Sequence, residues 1–373
     1  VTAGRWREFF EGRTKALEEI LRGLVERESP SDDTGRVSAL AEWICGRLSE
    51  AGLAAGAEPL PGAGAAAMGR LGGGGGTLLL CHHDTVWPAG SLSERPFAIE
   101  AGRARGPGVF DMKGGIAVAI AALEGLVRQG SSARATLLST PDEEIGSRCS
   151  RALIEEEARR HERVLVLEPS IDGGVKVARK GTANFRVSFR GVASHAGLSP
   201  ERGASALAEL ARFVLFAETL GEADKGTTVV PTVARAGEKT NVVPEAAHVI
   251  LDSRGWTIEE FARVEKAITD YRPQDGRVSV SVEAGVNRPP MEPSEASRAL
   301  YERARRIARE IGFEMGAARV GGASDGNLTA ALGVPTLDGL GPRGDGAHER
   351  SEWVEVADLP RRAALVAALL EPA

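Results

Sequence analysis

Short, unbroken apolar runs alternate along this chain with longer stretches whose apolar residues recur every three or four positions. Runs at 77–81, 135–139 and 163–167 are bounded by polar turns, as expected of strands buried on both faces. Residues 112–129 and 147–160, which separate them, read as helices. Upstream, Trp6, Phe9, Phe10, Leu17, Ile20, Leu21, Leu24 and Val25 predict one helix over 5–28, broken by Ser29-Pro30-Ser31. A second helix is expected from about Thr34, with Val37, Leu40, Trp43, Ile44 and Leu48 on one face. Strand and helix in alternation predict an α/β fold: a mostly parallel mixed sheet with helices on both faces.

The pattern changes after about Lys180. Phe185–Phe189 and Val278–Val282 alternate apolar and polar, His248–Leu251 does so more loosely, and helical spacing returns at 203–220 and 257–271. Half-exposed strands with two helices imply a smaller α+β module with one sheet face covered. From about Pro289 the earlier style resumes, with a helix at 295–312 and an apolar Val334–Leu340. The expected organisation is a catalytic domain in two pieces, 1–180 and 289–373, around an inserted domain at 181–288. Gly72–Gly76 lacks a following Lys-Ser/Thr and reads as a flexible hairpin loop rather than a phosphate cradle.

Length supports this division, because 373 residues exceed one ordinary core. A composition 42% hydrophobic and 26% charged is that of a globular protein, and no apolar run nears the ~20 residues of a membrane span. The net charge of −6 is spread without basic blocks, which argues against nucleic acid or an acidic membrane as partner. Three cysteines without CxxC spacing suit reduced thiols in the cytoplasm. Val1–Arg13 does not resemble a secretion signal, although a chain starting without methionine leaves room for a trimmed leader.

Candidate chemistry gathers at the strand ends. His82 and Asp84, two apart, can point the same way, with His82 as a metal ligand and Asp84 accepting its free ring N–H. His83 would face away and be structural. Asp111, before a helix, reads alone as an N-cap; beside His82 it reads better as a carboxylate shared by two cations. Glu143 and Glu144 follow a strand and can supply one ligand and one proton shuttle. Glu168 closes the next strand, and His348 stands in a polar loop. His195, in Ser-His-Ala-Gly, belongs to the inserted module. The chain has only six histidines, so three in such settings point to a two-metal hydrolytic centre.

These segments also carry a resemblance. Cys81-His-His-Asp-Thr-Val-Trp, Gly106-Pro-Gly-Val-Phe-Asp-Met-Lys-Gly-Gly, Pro141-Asp-Glu-Glu-Ile-Gly-Ser and Leu167-Glu-Pro resemble successive motifs of the dizinc exopeptidases and deacylases. Ser194-His-Ala-Gly, Thr240-Asn-Val-Val-Pro and Gly322-Ala-Ser-Asp-Gly-Asn match the same family, which includes the glutamate carboxypeptidases, the branch most alike, and acetylornithine deacetylase. The resemblance implies two zinc ions, with cobalt or manganese as substitutes. His82, Asp111 and Glu168 would hold one; Glu144, Asp111 and His348 the other. It implies Asp84 as orienter, Glu143 as general base and a cis peptide after Asp111. The inserted domain would be a lid and homodimerisation module, with His195 polarising the scissile carbonyl of a neighbouring subunit's substrate. Lys176, Asn241 and Arg288 would bind substrate, and Arg254 would do so or pair with Asp252. The implied substrate is a peptide or N-acyl amino acid cleaved before a C-terminal, preferably acidic, residue. The related alternative is an N-acyl-amino-acid deacylase or dipeptidase; a non-catalytic dimeric binding protein fits less well, since every motif position is filled. Ala178 replaces a serine of the glutamate carboxypeptidases, which removes a hydroxyl from the substrate pocket.

Overall fold

A computed structural model describes residues 2–73 and 75–372. Val1 and Ala373, at the outer ends of the expected domains, and Gly74, inside the glycine run, lie outside the described residues. The chain divides into two compact units. The first comprises Val1–Ala178, Pro293–Val320 and Ser324–Ala373; the second comprises Arg179–Glu292 with Gly321–Ala323.

The first unit is built on a six-stranded mixed sheet. Its strands are β1 (Ala54–Leu60), β2 (Gly64–Leu71), β3 (Thr77–His82), β4 (Ala135–Thr140), β5 (Arg163–Val166) and a short strand at Thr336–Leu337. Their spatial order is β1-β2-β4-β3-β5 followed by Thr336–Leu337. The three apolar runs form its parallel centre: β3 pairs parallel with both β4 and β5. Every residue of β3 and β4 is buried, as a sheet covered on both faces requires. β1 and β2 form an antiparallel hairpin at one edge.

Two expectations need correction. The single helix over 5–28 is two helices, Thr2–Phe10 and Thr14–Val25. Gly12 between them takes φ +79, a conformation glycine adopts without the cost a side chain would bear. The glycine run is not a hairpin loop: β2 and β3, which it joins, are separated in the sheet by β4. Gly76 instead lets the chain pass close to the Arg134 carbonyl, which a Cβ would strike. The expected helices at 112–129 and 147–160 are Gly114–Arg128 and Arg151–Arg159.

The helices Thr14–Val25, Gly114–Arg128 and Asp358–Leu370 bury their apolar faces in the same core. Gly115 brings Gly114–Arg128 so near the end of β5 that a Cβ there would collide with the Leu167 carbonyl oxygen. Four short strands, Gly344–Asp345, Trp353–Glu355, Arg103–Arg105 and Ala98–Glu100, form a small separate sheet in that order.

The second unit is a four-stranded antiparallel sheet, ordered Thr228–Ala236, Ala246–Gly255, Gly181–Arg190, Ser279–Arg288. Helices Ala206–Glu218 and Ile258–Thr269 cover one face, packing Phe213, Phe261 and Val264 against Phe185, Val187 and Val249. Among the described residues, no helix is long and apolar enough to cross a membrane.

Candidate metal centre

Each chemical residue of the first unit follows the carboxyl end of a strand or a loop tied to one. His82 is the last residue of β3, Glu143 and Glu144 form the turn after β4, and Glu168 lies two residues beyond β5. The carboxyl ends of parallel strands are where open α/β sheets hold their ligands. Asp111 and His348 arrive from the small sheet. Arg103–Arg105 leads into the Gly106–Asp111 loop, and the hairpin between Gly344–Asp345 and Trp353–Glu355 displays His348. Gly106 and Gly108 adopt φ +144 and +71, and the Asp111–Met112 peptide is cis.

Asp111 stands between two histidines. One of its oxygens, Oδ1, lies 3.2 Å from His82 Nε2, and the other, Oδ2, lies 3.4 Å from His348 Nε2. Each imidazole nitrogen also faces a second carboxylate: Glu168 Oε1 is 3.4 Å from His82 Nε2, and Glu144 Oε2 is 3.1 Å from His348 Nε2. Two three-residue groups therefore share one aspartate. Donor atoms bound tetrahedrally at about 2.0–2.1 Å from a zinc-like ion stand about 3.3–3.4 Å apart, close to all four of these separations. One ligand atom from each of His82, Asp111 and Glu144 can be chosen with all three within 4.8 Å of one another. Glu144 Oε1 is buried and accepts no hydrogen bond from the described residues, an arrangement costly for a carboxylate unless a cation is at hand.

The electrostatics agree. Burial opposes protonation of His82, but the hydrogen bonds that its ring donates to Asp111, Asp84 and Glu168 outweigh it and raise its pKa well above the usual value. Hydrogen bonds with Asp111 and Glu144 lift His348 to about 10. Burial disfavours the Asp111 anion, yet the two histidines carry its pKa below the usual carboxylate range. Glu144 is raised by burial, against the pull of His348. Crowded carboxylates that draw positive charge onto both imidazoles form a site suited to cations. The donor set, imidazole nitrogen and carboxylate oxygen, fits zinc and its neighbours.

Asp84 organises the interior. It is fully buried, lies 3.4 Å from His82 Nδ1, and accepts the Ser31 hydroxyl at 2.7 Å. Its oxygens also accept the backbone N–H groups of Glu143 and Glu144, each at 3.1 Å. One carboxylate thus fixes both the His82 ring and the turn bearing two further acids. His83 points the other way, with Nδ1 3.1 Å from Ser139 Oγ, and burial lowers its pKa to about 4. Lys176 places Nζ 3.7 Å from Glu168 Oε2.

The remaining candidates belong to the second unit. His195 is exposed, and its Nδ1 accepts the N–H groups of Gly197 and Leu198 at 3.1 Å each. The neutral ring must then carry its proton on Nε2, leaving that atom as a donor. Asn241 is exposed beside it, its carbonyl accepting the Ala196 N–H at 2.9 Å. Arg254 forms a two-pronged pair with Asp252, at 3.0 and 3.3 Å, the structural alternative the sequence left open. Arg288 is buried at the end of Ser279–Arg288.

Residues 78–372 match the model of peptidase family M20/M25/M40. Carboxypeptidase G2 of Pseudomonas sp. (strain RS-16) is 33% identical over 369 residues, covering 95% of this chain and 88% of that protein. Aminopeptidase PepT of Bacillus cereus has the same fold, with a TM-score of 0.79 at 24% identity, covering 96% of this chain and 98% of that one. YXEP of Bacillus subtilis, described as a dinuclear metal binding peptidase, superposes with a TM-score of 0.71 at 15% identity, covering 96% and 98%. The chain belongs to peptidase family M20/M25/M40, a family of metal-dependent hydrolases.

Proposed function

We propose that this hydrolase cleaves the amide bond before a C-terminal amino acid, with preference for an acidic one, using two zinc ions. The observation that carries the reading is the Asp111 carboxylate, whose oxygens face different imidazoles at 3.2 and 3.4 Å. His82, Asp111 and Glu168 would hold one ion, and Glu144, Asp111 and His348 the other. Bound there, a pair of divalent cations supplies Lewis acidity and lowers the pKa of water into the neutral range.

Glu143 takes the proton released as water attacks the carbonyl carbon and passes it to the departing nitrogen, giving a free amine and a carboxylic acid. The turn fastened to Asp84 limits how far Glu143 can swing during this exchange. His195, with its proton on Nε2, donates to the developing oxyanion. By the family resemblance, a second subunit would supply it. Leu207 and Leu215 on Ala206–Glu218, with Val230 and Val233 on the edge strand Thr228–Ala236, are exposed apolar side chains suited to a homodimer contact. Arg288, Asn241 and Lys176 are assigned to the substrate carboxylate, a role for which a guanidinium is well shaped. Arg254, paired with Asp252, would need to exchange that partner to join them.

The test is a hydrolysis screen with metal-replete protein, using N-acylated amino acids that differ at the C-terminal residue. Faster turnover of C-terminal glutamate or aspartate is expected, and Arg288→Ala should raise KM for them more than it lowers kcat. A profile governed by the acyl group, with N-acetyl or N-succinyl compounds leading, would instead mark a deacylase. Loss of acidic preference in the native protein would remove that part of the proposal.

A further inference from the structure

One buried acid has no part in the chemistry assigned above. Glu352 lies four residues beyond His348, where the hairpin returns towards Trp353–Glu355, and is 1% exposed. Its Oε1 accepts the Gly108 N–H at 2.7 Å, and its Oε2 accepts the Phe110 N–H at 3.2 Å. Both donors belong to the loop that ends in Asp111. The Trp87 side chain adds a hydrogen bond, and Arg95 stacks over the Trp87 ring at 3.9 Å.

The connection is specific. The hairpin carrying His348 grips, through one carboxylate, the loop carrying Asp111. His348 and Asp111 are two of the three residues around one proposed ion. Asp111 also belongs to the other ion, but that ion's further ligands, His82 and Glu168, are positioned by β3 and β5. Backbone donors on both carboxylate oxygens fix the loop's orientation better than one bond would, because rotation about either bond breaks the other.

We propose that Glu352 is a positioning residue that sets the spacing of Asp111 and His348, and so the affinity of the ion they share with Glu144. The inference rests on the two-ion reading and adds a residue to it. Removing an outer partner that orients a ligand weakens metal binding about 10–100-fold, and here the loss should be greatest for the ion that needs both Asp111 and His348.

The experiment compares the native protein with Glu352→Gln, by metal content after dialysis and by chelator competition with zinc. Glutamine keeps the shape but turns an amide N–H towards one of two backbone N–H groups. The native protein should bind two ions; the variant should bind the one that needs both Asp111 and His348 about 10–100-fold more weakly, and the other, through the shared Asp111, with a smaller loss. Cobalt-substituted protein gives a second readout, because the absorption of one ion should change more than that of the other. Excess zinc should restore kcat, because the groups that act on the substrate are intact once the ion is bound. If Glu352→Gln is unfolded without metal, high zinc should refold it by mass action, and failure to refold would overturn the proposal. Equal affinity for both ions in native and variant protein overturns the role of Glu352 alone. A native protein that binds fewer than two ions overturns the two-ion reading and this inference with it.

Discussion

Replacing Asp84 with asparagine isolates the contribution of one buried charge to the whole centre. All four groups around the carboxylate are donors or can act as donors: His82 Nδ1, the Ser31 hydroxyl and the N–H groups of Glu143 and Glu144. An amide has one acceptor oxygen, so its NH2 must face either the Glu143 N–H or the Glu144 N–H, 3.1 Å from the present oxygens. One charge-assisted hydrogen bond worth about 1.5–3 kcal/mol is lost, and a buried backbone donor is left unpaired. If the NH2 faces His82, the ring keeps the backbone carbonyl of residue 84, 3.2 Å from Nδ1, as its acceptor. The expected result is a fall of about 10–100-fold in metal affinity, with a loss of roughly 1.5–3 kcal/mol in the stability of the metal-free protein. Chelator competition measures the first and urea denaturation the second. Asp84→Asn protein with native affinity for both ions and an unchanged unfolding midpoint would show that the carboxylate organises nothing.

Glu143→Gln should lower kcat by about a hundredfold to ten-thousandfold, the usual worth of a general base, while leaving metal content unchanged; equal activity would remove Glu143 from the reaction. Gly115→Ala would be mildly favourable in an open helix, by about 1 kcal/mol, but here the methyl meets the Leu167 carbonyl. A net destabilisation of about 1–3 kcal/mol is expected, and a higher denaturation midpoint would refute the close approach. His83 has its pKa lowered by burial to about 4 from 6.5, so below pH 6.5 the unfolded chain binds a proton that the folded protein refuses. Its contribution is therefore complete above pH 6.5 and is lost as pH falls towards 4. Unfolding free energies measured across that window should fall less steeply in His83→Asn than in the native protein.

Much of the centre was legible because its residues end apolar runs. His82 ends β3, Glu144 and Glu168 follow β4 and β5, and a period of continuous burial marks such strands clearly. The edge hairpin β1–β2 left no comparable trace. Its sequences, Ala-Ala-Gly-Ala-Glu-Pro-Leu and Gly-Ala-Ala-Ala-Met-Gly-Arg-Leu, lack the β-branched and aromatic residues that announce strands. Thr228–Ala236 was obscured by Pro231, which only an edge position tolerates. The break at Gly12 falls within otherwise regular helical spacing, so periodicity alone ran across it. Glu352 was hidden for a different reason. In His-Glu-Arg-Ser-Glu it looks like one more surface charge, and its partners are backbone groups that no pattern of side chains reveals.

The first unit is interrupted in sequence, and that has a consequence for how the protein is made. Four of the proposed ligands have been synthesised by Glu168, whereas His348 emerges 180 residues later (348 − 168). Helix Asp358–Leu370, buried along most of its length, comes later still. During translation the contiguous stretch Arg179–Glu292 is complete while its neighbour still lacks a wall. A nascent chain paused before His348 has the residues for one cation but not for the pair. Full loading must therefore wait until His348 has emerged, and chains truncated before it should be both undermetallated and prone to aggregation.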